Sequence, residues 1–597
     1  MRQWMVAAKK ADFYVIAEKF HVDPVVARII RNREVIGEKN IRIYLGGNLS
    51  DLSDPHQMKD MDRLVEILAQ KIRKQVHIRI IGDYDVDGVT SSHLFLTALR
   101  RVGAKVDVVI PHRIQDGYGL SLHLLQQAKE DGVDTILTCD NGIAAIDEIA
   151  WAKAQKMTVL VTDHHAVPFE EHEGRRTEKK SLADAVVNPH QQDCGYPYKE
   201  LCGAGVAWNV IRVLYENYDM DKREAEDLLD FVAMATVCDV MSLTGENRIL
   251  VKEGLKRIRH TKNIGLQALM QACNVQPENI SAYHFGYVLG PCVNATGRLD
   301  TARHALRLFE TGQETEAEEI ARDLVDLNQE RKELTLQGVE MAKKLCEEGG
   351  YEKDPVLVLF LPDVHESIAG LIAGRIREMY NRPVFVLTRG EEGVKGSGRS
   401  TENYSMYENM CGCAELFTKF GGHPMAAGLS LPEENVEKFR RKINENCPLT
   451  VEEVCPDIHI DMAMPVGYAS TELVHQFALL EPFGKDNPSP LFADRNLSIS
   501  RMWLIGKNRN VLRMSVLSEY GQPVPVIFFG DVETLFAYFT EKFGQEEVEN
   551  ALHGRKNRIL FSMVYTAKID FYQGNENLQL EMKYYNAIKP VVRSFVR

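Results

Sequence analysis

Between Val76 and Val187, short apolar runs alternate with amphipathic stretches of about ten residues or more. The runs ending at Ile81, Ile110, Thr138, Val161 and Val187 read as strands. Val89 to Val102, Ser121 to Glu130 and Ala144 to Gln155 read as helices. Strands alternating with helices of this length predict an α/β fold with a doubly wound, mostly parallel sheet and right-handed crossovers. Such sheets bind ligands beyond the carboxyl ends of their strands, so chemistry is to be sought at the strand exits.

The flanking pattern predicts four further regions. Residues 1–75 read as a helical accessory segment, with helical spacing at Val25 to Ile30 and Met61 to Ile72 and a helix start at Ser53-Asp54-Pro55. After the catalytic candidate region 76–245, residues 246–350 are mainly helical. There Glu314 to Leu345 forms a long amphipathic connector, and Asn294-Ala295-Thr296-Gly297-Arg298 reads as a polar, turn-like island. A second, smaller α/β unit is expected over 351–456, with strands Val356 to Phe360 and Pro383 to Leu387 around a helix from Ser367 to Tyr380. Its glycine-rich segments, Gly396 to Ser400 and Gly421 to Gly428, read most simply as turns, although glycine backbone beside Arg, Ser and His also suits phosphate. Over 457–597 the texture is β-rich: Leu497 to Ile505, Val511 to Leu517, Val524 to Phe529, Ile559 to Tyr572 and Leu578 to Tyr585, the last two joined as a hairpin through Gln573 to Asn577. An OB-like barrel is the expected fold there.

The first strand exit, Gly82-Asp83-Tyr84-Asp85-Val86-Asp87-Gly88, carries three carboxylates at alternate positions. At ~5 Å and an effective dielectric of ~20, each pair repels by a few kcal/mol unless a cation sits among them. A calcium-binding EF-hand loop needs a preceding helix and a glutamate at the twelfth position; here a strand precedes and Leu94 occupies that position. A solvated acidic turn would also fit this stretch alone. It does not explain Asp140 in Cys139-Asp140-Asn141-Gly142 and Asp163-His164-His165, at two further exits of the same sheet. Asp239 closes an apolar helical run from Leu228, where an unpartnered carboxylate is costly to bury.

Composition narrows the class. The 597 residues are 45% hydrophobic and 26% charged, as in globular proteins, and no apolar run is long enough to span a bilayer. Eleven scattered cysteines without a Cys-x-x-Cys pair point to reduced thiols in a cytoplasmic protein. The net charge of −14 argues against a basic coat but not against a local cationic groove. One candidate groove is the stretch from Arg501 to Leu517, which holds Arg501, Lys507, Arg509 and Arg513 with Trp503 and no acid, as a single-stranded nucleic-acid platform requires, although a simple edge strand has the same look.

Aspartates with one or two histidines make an oxygen-rich donor set suited to Mn²⁺ or Mg²⁺ rather than zinc. The carboxylates gathered at these exits exceed what one divalent ion neutralises. Two ions are therefore expected, bridged by a shared carboxylate such as Asp140, at about 3.5–4 Å. Such a pair activates water and stabilises both oxygens at phosphorus, which indicates phosphoester or phosphoanhydride hydrolysis. No Walker lysine motif or Gly-x-Gly-x-x-Gly follows a strand, so nucleotide-cofactor chemistry is disfavoured.

The ordered set Gly82 to Gly88, Cys139 to Gly142, Thr162 to His165, Ala235 to Asp239, Asn294 to Arg298 and Gly421-Gly422-His423 resembles the DHH phosphoesterase superfamily over roughly residues 20 to 590. With the barrel, it is most similar to the superfamily's single-strand-specific 5′→3′ DNA exonucleases. The resemblance implies that Asp85, Asp87, Asp140, His164 and Asp239, with Asp83, hold two divalent ions, and that Asp163 orients the neighbouring imidazole. Ile81 stands where several relatives carry a metal-binding histidine, so Asp83 is either its substitute or an acid behind the ligands. His165 and His423 would face the scissile phosphate. Asn294 and Arg298 would position the strand, and Arg113, Ser397 and Arg399 would form the 5′-end pocket. Trp503, Lys507 and Arg509 would grip DNA further along. The implied partners are single-stranded DNA, a single-strand-binding protein and a helicase, with the enzyme acting as a monomer in repair and recombination. A superfamily phosphodiesterase for nanoRNA or cyclic dinucleotides is an alternative that generally lacks the barrel; a non-catalytic DNA-binding scaffold would have lost the carboxylates.

Overall fold

In the computed structural model the alternating region forms five parallel strands: β1 (Ile78–Ile81), β2 (Val106–Val109), β3 (Thr135–Cys139), β4 (Thr158–Thr162) and β5 (Ala185–Val187). Their order is β2-β1-β3-β4-β5, so the strand order reverses between β1 and β3 and opens a crevice at their carboxyl ends. The structure describes all residues except 1–2, 114–115, 117–118, 173–174, 391–392, 507–508, 519, 573, 588–592 and 596–597. Lys507, Gln573 and four residues around Asp116 in the Arg113 motif thus lie outside it.

Helix α1 (Val86–Arg101) leaves the β1 exit directly, with Asp85 as its N-cap accepting from the Gly88 amide at 3.1 Å. Two helices buried almost all round, α2 (Gly203–Asn217) and α3 (Leu229–Cys238), pack beside it. Helix α4 (Gly245–Ile258) follows. The Asn294–Arg298 island is not a turn: it lies within helix α5 (Gly290–Leu299), with Pro291 in its first turn and Cys292, Val293 and Ala295 buried. Its polar residues are engaged inside the protein, Asn294 on the acidic loop, Thr296 on its own helix and Arg298 on the Ser367 carbonyl, which local patterning cannot distinguish from a turn. Helix α6 (Glu314–Glu348) runs 35 residues to the second unit.

That unit is a five-stranded sheet of β6 (Leu357–Phe360), β7 (Val384–Gly390), β8 (Gly393–Arg399), β9 (Lys419–His423) and β10 (Ala426–Leu431), ordered β9-β10-β8-β7-β6, with α7 (Ala369–Tyr380) packed on it. The glycine-rich segments expected as turns lie mainly in strands β8, β9 and β10, with a turn at Pro424-Met425 joining β9 to β10. Ladder bonds come from the backbone, which glycine supplies. Space explains part of the glycine content: a Cβ at Gly398 would meet the Phe385 ring at 2.7 Å.

Strands β11 (Phe492–Ile505), β12 (Val511–Leu517), β13 (Pro523–Phe528), β14 (Leu560–Tyr572) and β15 (Asn575–Asn586) close into a barrel in the order β11-β12-β13-β15-β14, with β14 returning to β11. Its core takes in the helices Pro24–Asn32 and Glu38–Gly46 through Val26, Ile29, Ile30, Ile41 and Tyr44. Arg33 forks onto the Asp461 carboxylate at 2.7 and 3.1 Å, 428 residues along the chain. The N-terminal segment also holds an unexpected strand, Trp4–Ala7, pairing with Ile458–Ile460 and Arg593–Phe595. Helix Met61–Arg73 instead joins the core of the first sheet. Arg248 of α4, buried, donates to the carbonyls of Tyr44, Leu479 and Leu480, tying the N-terminal helices and the approach to the barrel onto the first unit.

Candidate active site

The exits of β1, β3 and β4 and the end of α3 converge on one cluster. Its donors form three overlapping groups, each with one atom per residue inside a 4.8 Å span: Asp83, Asp85 and Asp140; Asp87, His164 and Asp239; Asp140, His164 and His165. His164 Nε2 lies 3.1 Å from Asp140 Oδ1 and 3.6 Å from both Asp87 Oδ2 and Asp239 Oδ2. Sequence reasoning named every one of these residues. Ile81 sits in the apolar layer with Leu124 and Leu125 and adds no donor.

The electrostatics of the cluster follow from its burial and its crowded carboxylates. Burial, followed by neighbouring carboxylates, pushes Asp83, Asp140 and Asp239 well above the usual carboxylate range, and Asp85 upward as well. Burial also lowers His164, leaving a neutral imidazole with a free lone pair. Asp83 Oδ1 and His164 Nε2 are buried and make no hydrogen bond. Unpaired donors among mutually repelling carboxylates fit divalent cations with mainly oxygen ligands.

Asp163 stands behind this layer. Its Oδ1 accepts from the amides of His164 and His165 and contacts His165 Nδ1 at 2.8 Å, while Oδ2 accepts from the Ile143 amide at 2.9 Å. The imidazole it orients is therefore that of His165. Burial alone would depress His165, but the Asp163 contact and the surrounding carboxylates raise it to about 9. Half-exposed and 3.9 Å from Asp140 Oδ1, it stands at the mouth of the cluster.

One support was not anticipated from the sequence. Both oxygens of Asp87 accept from the first amides of α2, Gly203 at 2.6 Å and Ala204 at 2.8 Å, so a helix N-terminus holds this carboxylate. A Cβ on Gly203 would meet Asp140 Cβ at 2.6 Å and Asp87 Oδ2 at 3.0 Å. The available signal was Gly203-Ala204-Gly205, small residues opening an apolar helix. On the other side Asn294 Oδ1 accepts from the Val86 amide at 3.2 Å, so Asn294 braces the acidic loop.

Beside the cluster, a cleft of about 570 Å³ runs between the two α/β units. Tyr84, Arg113 and Arg298 line one side, and Ser397, Arg399 and Gly370 the other, with Lys395 and Lys419 further out. Arg113 stacks on Tyr84 at 4.9 Å, and Arg298 donates to the Ser367 carbonyl at 2.6 Å. Burial and the charges of Arg113, Arg331 and Arg399 pull Arg298 down to about 10, and burial and Arg113 also lower Arg399. Crowded guanidiniums that depress one another are a site for an anion.

His423 ends β9 and is exposed, on the same sheet face as Ser397 and Arg399, without a hydrogen bond or ion pair to the acidic cluster. In the barrel, Trp503 on β11 lies across from Arg513 on β12. The guanidinium groups of Arg501 and Arg513 lie 5.8 and 5.9 Å from its ring, with Arg509 exposed in the connecting turn.

Family models match three stretches: the DHH family N-terminal domain over residues 77–236, the DHHA1 domain over 353–447 and the RecJ OB domain over 460–584. The single-stranded-DNA-specific exonuclease RecJ of Haemophilus influenzae is 32% identical over 95% of this chain and 96% of its own length. The Bacillus subtilis protein of the same name is 33% identical over 85% of this chain, which spans 63% of that longer relative. Among solved structures, Thermus thermophilus RecJ in complex with Mn²⁺ shares the fold, with a TM-score of 0.81, 24% identity and coverage of 99% of this chain and 80% of that one. A second, an exonuclease RecJ bound to manganese, has a TM-score of 0.56 and 31% identity over 66% of this chain and 96% of its own.

Proposed function

The chain belongs to the RecJ family of DHH phosphoesterases, and we propose that it removes 5′-mononucleotides from single-stranded DNA in the 5′→3′ direction, using two divalent ions, Mn²⁺ or Mg²⁺. The observation that carries this reading is the cluster itself: Asp83, Asp85, Asp87, Asp140, His164 and Asp239 present overlapping metal-donor groups directly beside an arginine-lined cleft. The RecJ OB match and the closed barrel favour this over a small-dinucleotide phosphodiesterase, and the full set of carboxylates disfavours a non-catalytic scaffold.

Bound metal would supply an activated water and charge neutralisation at the scissile phosphate. The chain's own residues do the rest. Asp87, held by the α2 amides, and Asp85, capping α1, are fixed before metal arrives, so little reorganisation is needed. His165, oriented by Asp163 at the mouth of the cluster, would serve as the proton donor to the leaving 3′ oxygen. His423 approaches from the other unit in the same capacity. Arg113, Arg298, Ser397 and Arg399 receive the 5′-phosphate, so that the first phosphodiester bond reaches the metals. Trp503, flanked by Arg501 and Arg513 with Arg509 in the connecting turn, stacks bases of the trailing strand. A helicase and a single-strand-binding protein would supply and shape that strand.

The test compares strands labelled at the 5′ or the 3′ end. Labelled mononucleotide should appear at once from 5′-labelled strands and only late from 3′-labelled ones. The reverse order would reject the polarity.

A further inference from the structure

The cleft is longer than a single 5′-phosphate requires. Side chains two apart on a strand share a face, so Arg399, Ser397 and Lys395 of β8 point the same way. The register places Gly428 and Ser430 of β10 beside Ser397 and Lys395, and Gly421 and Lys419 of β9 beyond them. A Cβ on Gly421 or Gly428 would meet nothing within 4 Å, so these glycines leave a hollow floor rather than a packed one. The face thus has two cationic tiers. The inner tier is Arg113, Arg298 and Arg399 around Ser397. The outer tier is Lys395, Lys419 and Ser430, two strand residues or about 7 Å away. Lys395 is held at 2.8 Å by Glu366, which among the described residues is the acid lining the cleft, while Lys419 is exposed and makes no ion pair among them.

In the 5′→3′ reading the DNA leaves the inner tier toward the metals. Nothing of the strand itself then lies further out, and the outer tier can meet only a substituent on the 5′-phosphate. The backbone offset between Ser397 and Lys395, about 7 Å, is of the same order as the span of a triphosphate, and the long lysine side chains can take up the difference. We propose that the outer tier is a binding position for the distal phosphates of a 5′-polyphosphorylated single strand. The enzyme then processes triphosphate ends without prior trimming. Water adds to the phosphorus of the first internucleotide bond, the P–O3′ bond breaks, the 3′ oxygen takes a proton, and the first product is a nucleoside 5′-triphosphate. The inference rests on the assignment of the inner tier as the 5′-phosphate pocket.

The experiment compares one single-strand sequence carrying a 5′-hydroxyl, 5′-monophosphate or 5′-triphosphate, with wild-type enzyme and Lys419→Ala. The triphosphate strand should be degraded within about tenfold of the monophosphate strand, with nucleoside triphosphate as first product. Lys419→Ala should slow the triphosphate strand about tenfold, as expected for one lost charge-assisted contact, and leave the monophosphate rate within twofold. A triphosphate strand refused more than a hundredfold, or one that first releases a longer oligonucleotide, overturns the outer-tier proposal while a preference for monophosphate over hydroxyl keeps the inner pocket intact. Loss of that preference as well removes both.

Discussion

Gly203→Ala isolates the joint between α2 and the metal-site carboxylates. Elsewhere in a helix, alanine would be favoured over glycine by about 1 kcal/mol. At this position the added Cβ meets Asp140 Cβ at 2.6 Å, Asp140 Cα at 2.9 Å and Asp87 Oδ2 at 3.0 Å. Carbon atoms sit comfortably at about 3.5–4.0 Å, so helix and carboxylates must separate by about 1 Å. That displacement acts on the two amides holding Asp87 and on Asp140, which belongs to two of the three donor groups. A misplacement of about 1 Å in a preorganised site costs on the order of a hundredfold in rate. Nucleotide release from a 5′-labelled single strand at saturating Mn²⁺ should therefore fall about a hundredfold, and calorimetry should show weakened metal binding, with a melting temperature close to wild type. Gly205→Ala is the control, since its Cβ meets Leu201 at 3.4 Å and Cys202 Sγ at 3.8 Å, ordinary contact distances, and it should be nearly silent. Activity of Gly203→Ala within threefold of wild type would refute the claim that this helix positions the carboxylates.

Arg399→Ala removes a charge-assisted phosphate contact of about 1.5–3 kcal/mol and should cut the preference for 5′-phosphate over 5′-hydroxyl strands at least tenfold; an unchanged ratio takes Arg399 out of the pocket. Trp503→Ala forfeits about 1–3 kcal/mol of stacking and should raise KM for long strands five- to a hundredfold while sparing the shortest, as steady-state kinetics over a length series would show. His93, buried against Phe231 at 4.4 Å, is depressed to about 3 by burial. Because its folded value lies below the unfolded value of about 6.5, its stability contribution is full above pH 6.5 and declines as pH falls toward 3. Between pH 6.5 and 5 wild type should lose about 2 kcal/mol more than His93→Leu. Urea midpoints followed by the fluorescence of Trp208, in the same core, would check this, and parallel curves for the two proteins would count against it.

The acidic chemistry was readable because it follows from topology: a parallel sheet places its strand exits together, so Asp83, Asp140 and Asp163 could be grouped before their distances were known. Features that depend on a remote partner were not readable. Nothing local in Val25 to Ile30 indicates that this apolar stripe packs into a barrel more than 400 residues away, and nothing in Gly203 shows that its amide meets Asp87. Strands β8 to β10 were hidden by glycine, whose low β-propensity reflects missing side-chain contacts rather than any inability to form a ladder. Asn294 to Arg298 looked like a turn because its polar side chains have partners far along the chain, Asn294 on the acidic loop and Arg298 on the Ser367 carbonyl. Asp163 was placed with an imidazole, but only geometry identified that ring as His165's.

The central claim is that the convergent carboxylates hold divalent metal for strand hydrolysis. Asp140 tests it most directly, as a member of two donor groups and of no apolar core. For Asp140→Ala, titration with Mn²⁺ should show loss of at least one binding event, and nucleotide release from 5′-labelled single strands should vanish while binding of the strand persists. Wild-type turnover or an unchanged Mn²⁺ isotherm in that variant would contradict the claim.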